Sequence, residues 1–119
     1  MPWFRLGSVF MFLAVALGAF GAHSLRQRLS PEMLAVFETG VRYHFYHALG
    51  LFAVSWLNER QASPLAWGAG WAFTIGILVF SGSLYILSVS GQRWLGAVTP
   101  LGGLAFLVGW VFLFLASFR

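Results

Sequence analysis

The densest group of side chains able to move a proton or hold a charge lies between positions 38 and 47: Glu38, Arg42 and the run Tyr43-His44-Phe45-Tyr46-His47. On a helix, which turns about 100° per residue, Tyr43 and His47 share a face and His44 lies about 60° from His47. Glu38 and Arg42 occupy roughly the opposite side. Two histidines at i and i+3 can share a metal ion, but zinc wants three or four ligands. Beyond this pair the chain offers only His23 and three glutamates, with no Cys and no Asp. The preferred expectation is therefore a packed, hydrogen-bonded histidine with no metal, and the functional alternatives are proton transfer or ligand contact.

Glu38 and Arg42 stand four apart with the acid first, the favourable order for a helical ion pair. Placed at a membrane boundary, they form an interfacial pair with Arg42 snorkelling outward, or an anion or headgroup site at the mouth of the helices. No catalytic set is visible: Asp is absent, and the serines fall in connections or among small residues, away from any base and orienter. Gly102-Gly103 follows a helix start, but two glycines serve close packing better than phosphate binding.

These residues must be positioned by helices. Three of the four prolines follow a hydroxyl residue, as Ser30-Pro31, Ser63-Pro64 and Thr99-Pro100, and Pro2 opens the chain. Proline suits the first helical turn, and a preceding Ser or Thr can cap its unpaired N–H groups. The helices are expected at about 3–22, 31–58, 64–89 and 100–118, with starts at Pro31, Pro64 and Pro100. In the first, Gly7, Met11, Ala14, Gly18 and Ala22 give a small-residue packing face. The second is longer than a bilayer needs, which puts Glu38 near one boundary and His47 near mid-depth. Trp67 and Trp71 suit interfacial anchors of the third, whose middle is Phe80-Ser81-Gly82-Ser83-Leu84-Tyr85. For the fourth, either the helix begins near Leu95 and kinks at Pro100, or Leu95 to Val98 run along the interface and Thr99-Pro100 opens it. The second is preferred, because an interior proline frees a backbone carbonyl.

With 60% hydrophobic and 8% charged residues in 119, and a mean hydropathy of +0.82, the chain lacks the charge a soluble surface needs. An all-α, integral membrane four-helix bundle forming a single domain over 1–119 follows. Its net charge of +4 comes from seven scattered arginines rather than a basic patch, which excludes nucleic acid. Arg5 with Ala19-Phe20-Gly21 would also suit a secretory signal, but three further spans make retention the simpler account. Arg5, Arg60 and Arg119 on one side balance Arg26, Arg28 and Arg93 on the other, so orientation stays open. An even number of spans places both termini on one side.

Four blocks resemble the YgdD/YwdK-like family of small inner-membrane proteins. They are Gly18-Ala19-Phe20-Gly21-Ala22-His23, Phe37-Glu38-Thr39-Gly40-Val41-Arg42-Tyr43 with His47-Ala48-Leu49, Phe80-Ser81-Gly82-Ser83-Leu84-Tyr85, and Thr99-Pro100-Leu101-Gly102-Gly103 with Trp110. The resemblance implies a multi-pass protein of the bacterial plasma membrane with four helices and no assigned activity. It singles out His23, Thr39, Tyr43, His47, Ser81, Ser83, Tyr85, Thr99 and Pro100, and departs at His44, commonly Gln or apolar, and at Gly40, often Ala. His23 is further expected to face Tyr43 or His47 across a short loop.

The leading functional expectation is a structural or accessory bundle, without cofactor, that packs with itself, with membrane lipid or with a larger membrane complex. One alternative is a small transporter or channel with a polar path through Tyr43, His47, Ser81, Ser83 and Thr99. Another is a membrane enzyme acting on a lipid or quinone, with Arg42 or Arg93 holding an anionic headgroup.

Overall fold

A computed structural model describes residues 1–118; Arg119, counted above among the basic residues, lies outside them. Its helices are α1 (Pro2–His23), α2 (Pro31–Arg60), α3 (Pro64–Gly76), α4 (Gly82–Ser90) and α5 (Thr99–Ala116). The expected third helix is one rod of two parts, α3 and α4, joined through a π-helical stretch at Ile77–Ser81. Apolar periodicity does not register one extra residue in a turn, so this feature is new. Short 3₁₀ turns lie in two of the connections, at Leu25–Gln27 and Arg93–Ala97.

Two of the three hydroxyl–proline starts are capped as their chemistry dictates. Ser30 Oγ accepts from the Met33 N–H and Ser63 Oγ from the Ala66 N–H, each at 3.1 Å. Ser30→Ala is expected to lower stability by about 1 kcal/mol, and Ser30→Gly by only a few tenths, measured by thermal unfolding in mild detergent. Thr99 departs from the pattern. Val98 precedes the helix in helical conformation, Thr99 is its first residue, and the Thr99 hydroxyl accepts no N–H from the turn ahead. The helix does open at Thr99-Pro100, with no proline kink inside it. At the end of α4, Gly91 takes φ +76°, and its N–H closes on the Leu87 carbonyl at 2.8 Å.

α1 packs along α2, the α3–α4 rod packs along α5, and α2 joins the two pairs. The molecule measures 49 × 26 × 16 Å. Close approach comes from aromatic rings seated opposite glycines. Phe37 sits on Gly21, Trp3 on Gly70, Phe112 on Gly68 and Phe106 on Gly76, while Phe73 is held between Gly50 and Gly109. On the small-residue face of α1, Gly7 and Ala14 are buried, but Gly21 rather than Ala22 continues the contact.

Among the described residues, three stretches are long and apolar enough to cross a membrane: Pro2–Gln27, Pro64–Ser90 and Arg93–Ala116. α2 is absent from that set, although its 30 residues reach about 45 Å. Glu38, Arg42, the two histidines and the Asn58-Glu59-Arg60 end keep it too polar. At one end of the molecule Arg93 meets Glu32 at 3.9 Å; both are well exposed, so the pair adds little stability. It does put the α1–α2 connection and the turn before α5 at the same end.

Candidate functional site

The polar residues picked out above do not converge. They divide into separate hydrogen-bonded groups.

The first centres on His47, buried where α2 faces α5. Its Nδ1–H donates to the Tyr43 carbonyl at 2.8 Å, one turn back on α2. The carbonyl is only an acceptor, so this bond fixes the proton on Nδ1 and leaves Nε2 as acceptor. Trp110 Nε1–H then donates to Nε2 at 3.0 Å. Phe106 stacks on the imidazole at 3.5 Å with ring planes 6° apart, and Phe73 meets it edge-on at 5.4 Å. Both nitrogens of a neutral ring are therefore engaged. Taking up a proton or a metal ion would require Trp110 to leave. Beside this group, Tyr43, Tyr46, Phe80, Leu107 and Trp110 line an aromatic groove open to the side of the molecule.

A second group joins α2 to the α3–α4 rod. His44 Nδ1 and the Tyr85 hydroxyl share a hydrogen bond of 2.8 Å, and Ser81 Oγ donates to the Gly40 carbonyl at 2.6 Å. Ser81 is fully buried, and the Tyr85 ring lies directly over Gly40, where a side chain would collide with it. His44 Nε2 is buried without a hydrogen-bond partner among the described residues, and Phe10 of α1 packs edge-on against the ring. His44 is thus a structural partner that sequence reasoning undervalued. Its bond spans 41 residues, and nothing local to the run 43–47 points at Tyr85.

The third group is a hydroxyl pair, Ser83 Oγ and Thr99 Oγ1, 2.6 Å apart, which ties α4 to the start of α5. One hydroxyl donates to the other, and the acceptor of that bond donates in turn to a carbonyl of its own segment, Phe80 or Leu95. The two hydroxyl protons thus serve two of the three close contacts at a time: the bond between the hydroxyls and one of the two carbonyls.

Three expected members lie elsewhere. His23 is exposed at the end of α1 and faces neither Tyr43 nor His47. Thr39 Oγ1 donates to the Ala35 carbonyl of its own helix at 2.9 Å and joins no other residue. Tyr43 contributes its backbone carbonyl to His47, while its ring packs on Phe80 and Tyr46 at a half-open surface. Nor does the Glu38–Arg42 ion pair form: the described residues hold one salt bridge, Arg93 to Glu32. Glu38 and Arg42 instead line a groove between α1 and α2. No three His, Cys, Asp or Glu among the described residues gather closely enough to hold a metal ion.

Comparison with known proteins places this arrangement. The family model described as protein of unknown function (DUF423) matches residues 17–103. A UPF0382 membrane protein of Bacillus subtilis, YwdK, is 49% identical over 115 residues, covering 96% of this chain and 94% of its own. UPF0382 membrane proteins of Staphylococcus saprophyticus and Staphylococcus haemolyticus are 43% and 42% identical over 114 residues, each across 96% of this chain and 94% and 93% of their own. No solved structure matches. The blocks that carried the YwdK-like resemblance and the matches across nearly the full length agree: this all-helical chain belongs to the DUF423 family.

Proposed function

We propose that this protein is an integral four-helix bundle of the bacterial plasma membrane with a structural or accessory role, holding lipid, another copy or a larger membrane complex through its outer faces. Three apolar helices and relatives named membrane proteins support the setting. Large apolar side chains point outward throughout, among them Phe12 at 73% exposure and Phe114 at 62%, and hydrocarbon is the solvent that suits them. In that setting α2 is the fourth crossing. Its His44, His47 and Ser55 side chains are buried against the neighbouring helices, the usual place for such groups at membrane depth, while Glu38 and Arg42 stay exposed.

The observation that carries the accessory reading is His47. A transporting or relaying imidazole needs a nitrogen free to exchange its proton, whereas both nitrogens here are committed to a carbonyl and an indole that do not titrate. The hydroxyl contacts Ser81–Gly40 and Ser83–Thr99 likewise tie one helix to the next and serve as polar adhesive between them.

Single cysteines test the arrangement against no background, because the chain has none of its own. Gln27→Cys and Gln92→Cys are expected to react with a membrane-impermeant maleimide from one side only, and Ala62→Cys and Ser117→Cys from the other. Recovery in the soluble fraction, or labelling of Gln27→Cys and Ala62→Cys from the same side, overturns the four-crossing arrangement.

A further inference from the structure

The groove between α1 and α2 carries two charges that the hydrogen-bonded groups above leave unused. It holds about 400 Å³ and is lined by Gly18, Gly21, Phe37, Glu38, Val41 and Arg42. Its α1 wall is glycine, so no side chain from that helix fills it. Its floor is the ring of Phe37, which lies directly against Gly21. Val41 closes the side, its Cγ1 3.4 Å from where a Cβ added at Gly18 would stand.

Glu38 and Arg42 stand on one strip of α2, their Cβ atoms about 5–6 Å apart as for any i, i+4 pair. At that spacing, collapse onto each other is the simple outcome, yet the two groups stay apart and both border the groove. Such an arrangement suits a ligand that brings its own pair of opposite charges. At the depth of the headgroup boundary the bilayer supplies one in abundance.

We infer that this groove binds one phospholipid with a primary-amine headgroup, its phosphate on Arg42, its ammonium on Glu38, and its glycerol backbone against the Gly18–Gly21 wall. A guanidinium fork matches two phosphate oxygens, and a carboxylate accepts N–H bonds from a primary ammonium. A phosphatidylglycerol headgroup has no cation for Glu38, and a choline headgroup has no N–H to donate. The inference rests on the membrane setting proposed above and adds the lipid that the bundle selects.

The full chain, reconstituted into vesicles of equal parts phosphatidylethanolamine, phosphatidylcholine and phosphatidylglycerol, is released into detergent, and its retained lipid is read by native mass spectrometry. Wild-type protein is expected to retain phosphatidylethanolamine about tenfold over either other lipid, the ratio of one charge-assisted hydrogen bond. Arg42→Gln lowers retention of all phospholipid about tenfold, whereas Glu38→Gln keeps phospholipid and loses the preference for the amine. Gly18→Leu fills the groove with both charges in place and also abolishes retention. Unchanged helix content and gel-filtration position in each variant show that the fold is intact. Equal retention of phosphatidylethanolamine and either other lipid, or an Arg42→Gln protein that keeps its phosphatidylethanolamine, overturns the inference. The cysteine labelling then shows separately whether the membrane setting stands.

Discussion

Gly102→Ala is expected to lower the stability of the bundle by about 3 kcal/mol, at the upper end for overpacking a filled interface. A Cβ at this position would land on the backbone nitrogen of Phe80 and 2.7 Å from its Cα, inside the π-helical stretch. A flexible side chain could swing aside, but two helix backbones cannot without parting α5 from the α3–α4 rod. Gly82→Ala provides the contrast. It lies one residue past that stretch with nothing within 4 Å of the added carbon, and its backbone is already helical. Replacing this glycine is expected to be neutral or to stabilise by about 0.5–1 kcal/mol. Unfolding followed by helix ellipticity across a detergent-to-denaturing-detergent titration reads both. Equal midpoints for Gly102→Ala and wild type would show that the approach at Phe80 is not as close as described.

His47→Ala should cost about 3 kcal/mol, through three losses at once. The cavity is unfilled between Phe106 and Phe73, the stacking on Phe106 disappears, and Trp110 Nε1–H loses its acceptor. Trp110→Phe isolates the last of these. It leaves Nε2 without a donor in a dry setting, for an expected loss of about 1 kcal/mol. The double-mutant cycle between positions 47 and 110 should give a coupling of similar size, about 1 kcal/mol. A coupling near zero would mean that the indole and the imidazole do not bond, and would reopen His47 to proton exchange.

Helix existence was legible because it is written locally. Ser30-Pro31 and Ser63-Pro64 carry both the cap and the first-turn residue, and the helices behind them are long enough to cross a bilayer. Thr99-Pro100 marked the right place with the wrong detail, since its hydroxyl could serve either the turn ahead or Ser83 across the interface, and only packing decides. The groups around the histidines were legible as residues but not as pairs. His47 meets Trp110 across 63 positions and His44 meets Tyr85 across 41, and no local period records such a meeting. Glu38 and Arg42 show the same limit from the other direction: helical spacing alone predicted an ion pair, while both side chains border the groove without meeting.

In a bilayer, apolar surface gives no reason to prefer one helix over another, so partner choice falls to shape. The rings seated on glycines supply that shape, and they fall mostly within two stretches of chain. Gly21 with Phe37 lies in the first half, and Gly76 with Phe106, Gly68 with Phe112 and Gly109 with Phe73 lie in the second. Each half can thus zip into its own hairpin as it leaves the insertion machinery, before the other half has been made. The late event is the joining of two finished hairpins, and Trp3 on Gly70 with Phe73 on Gly50 are the keys that set their register.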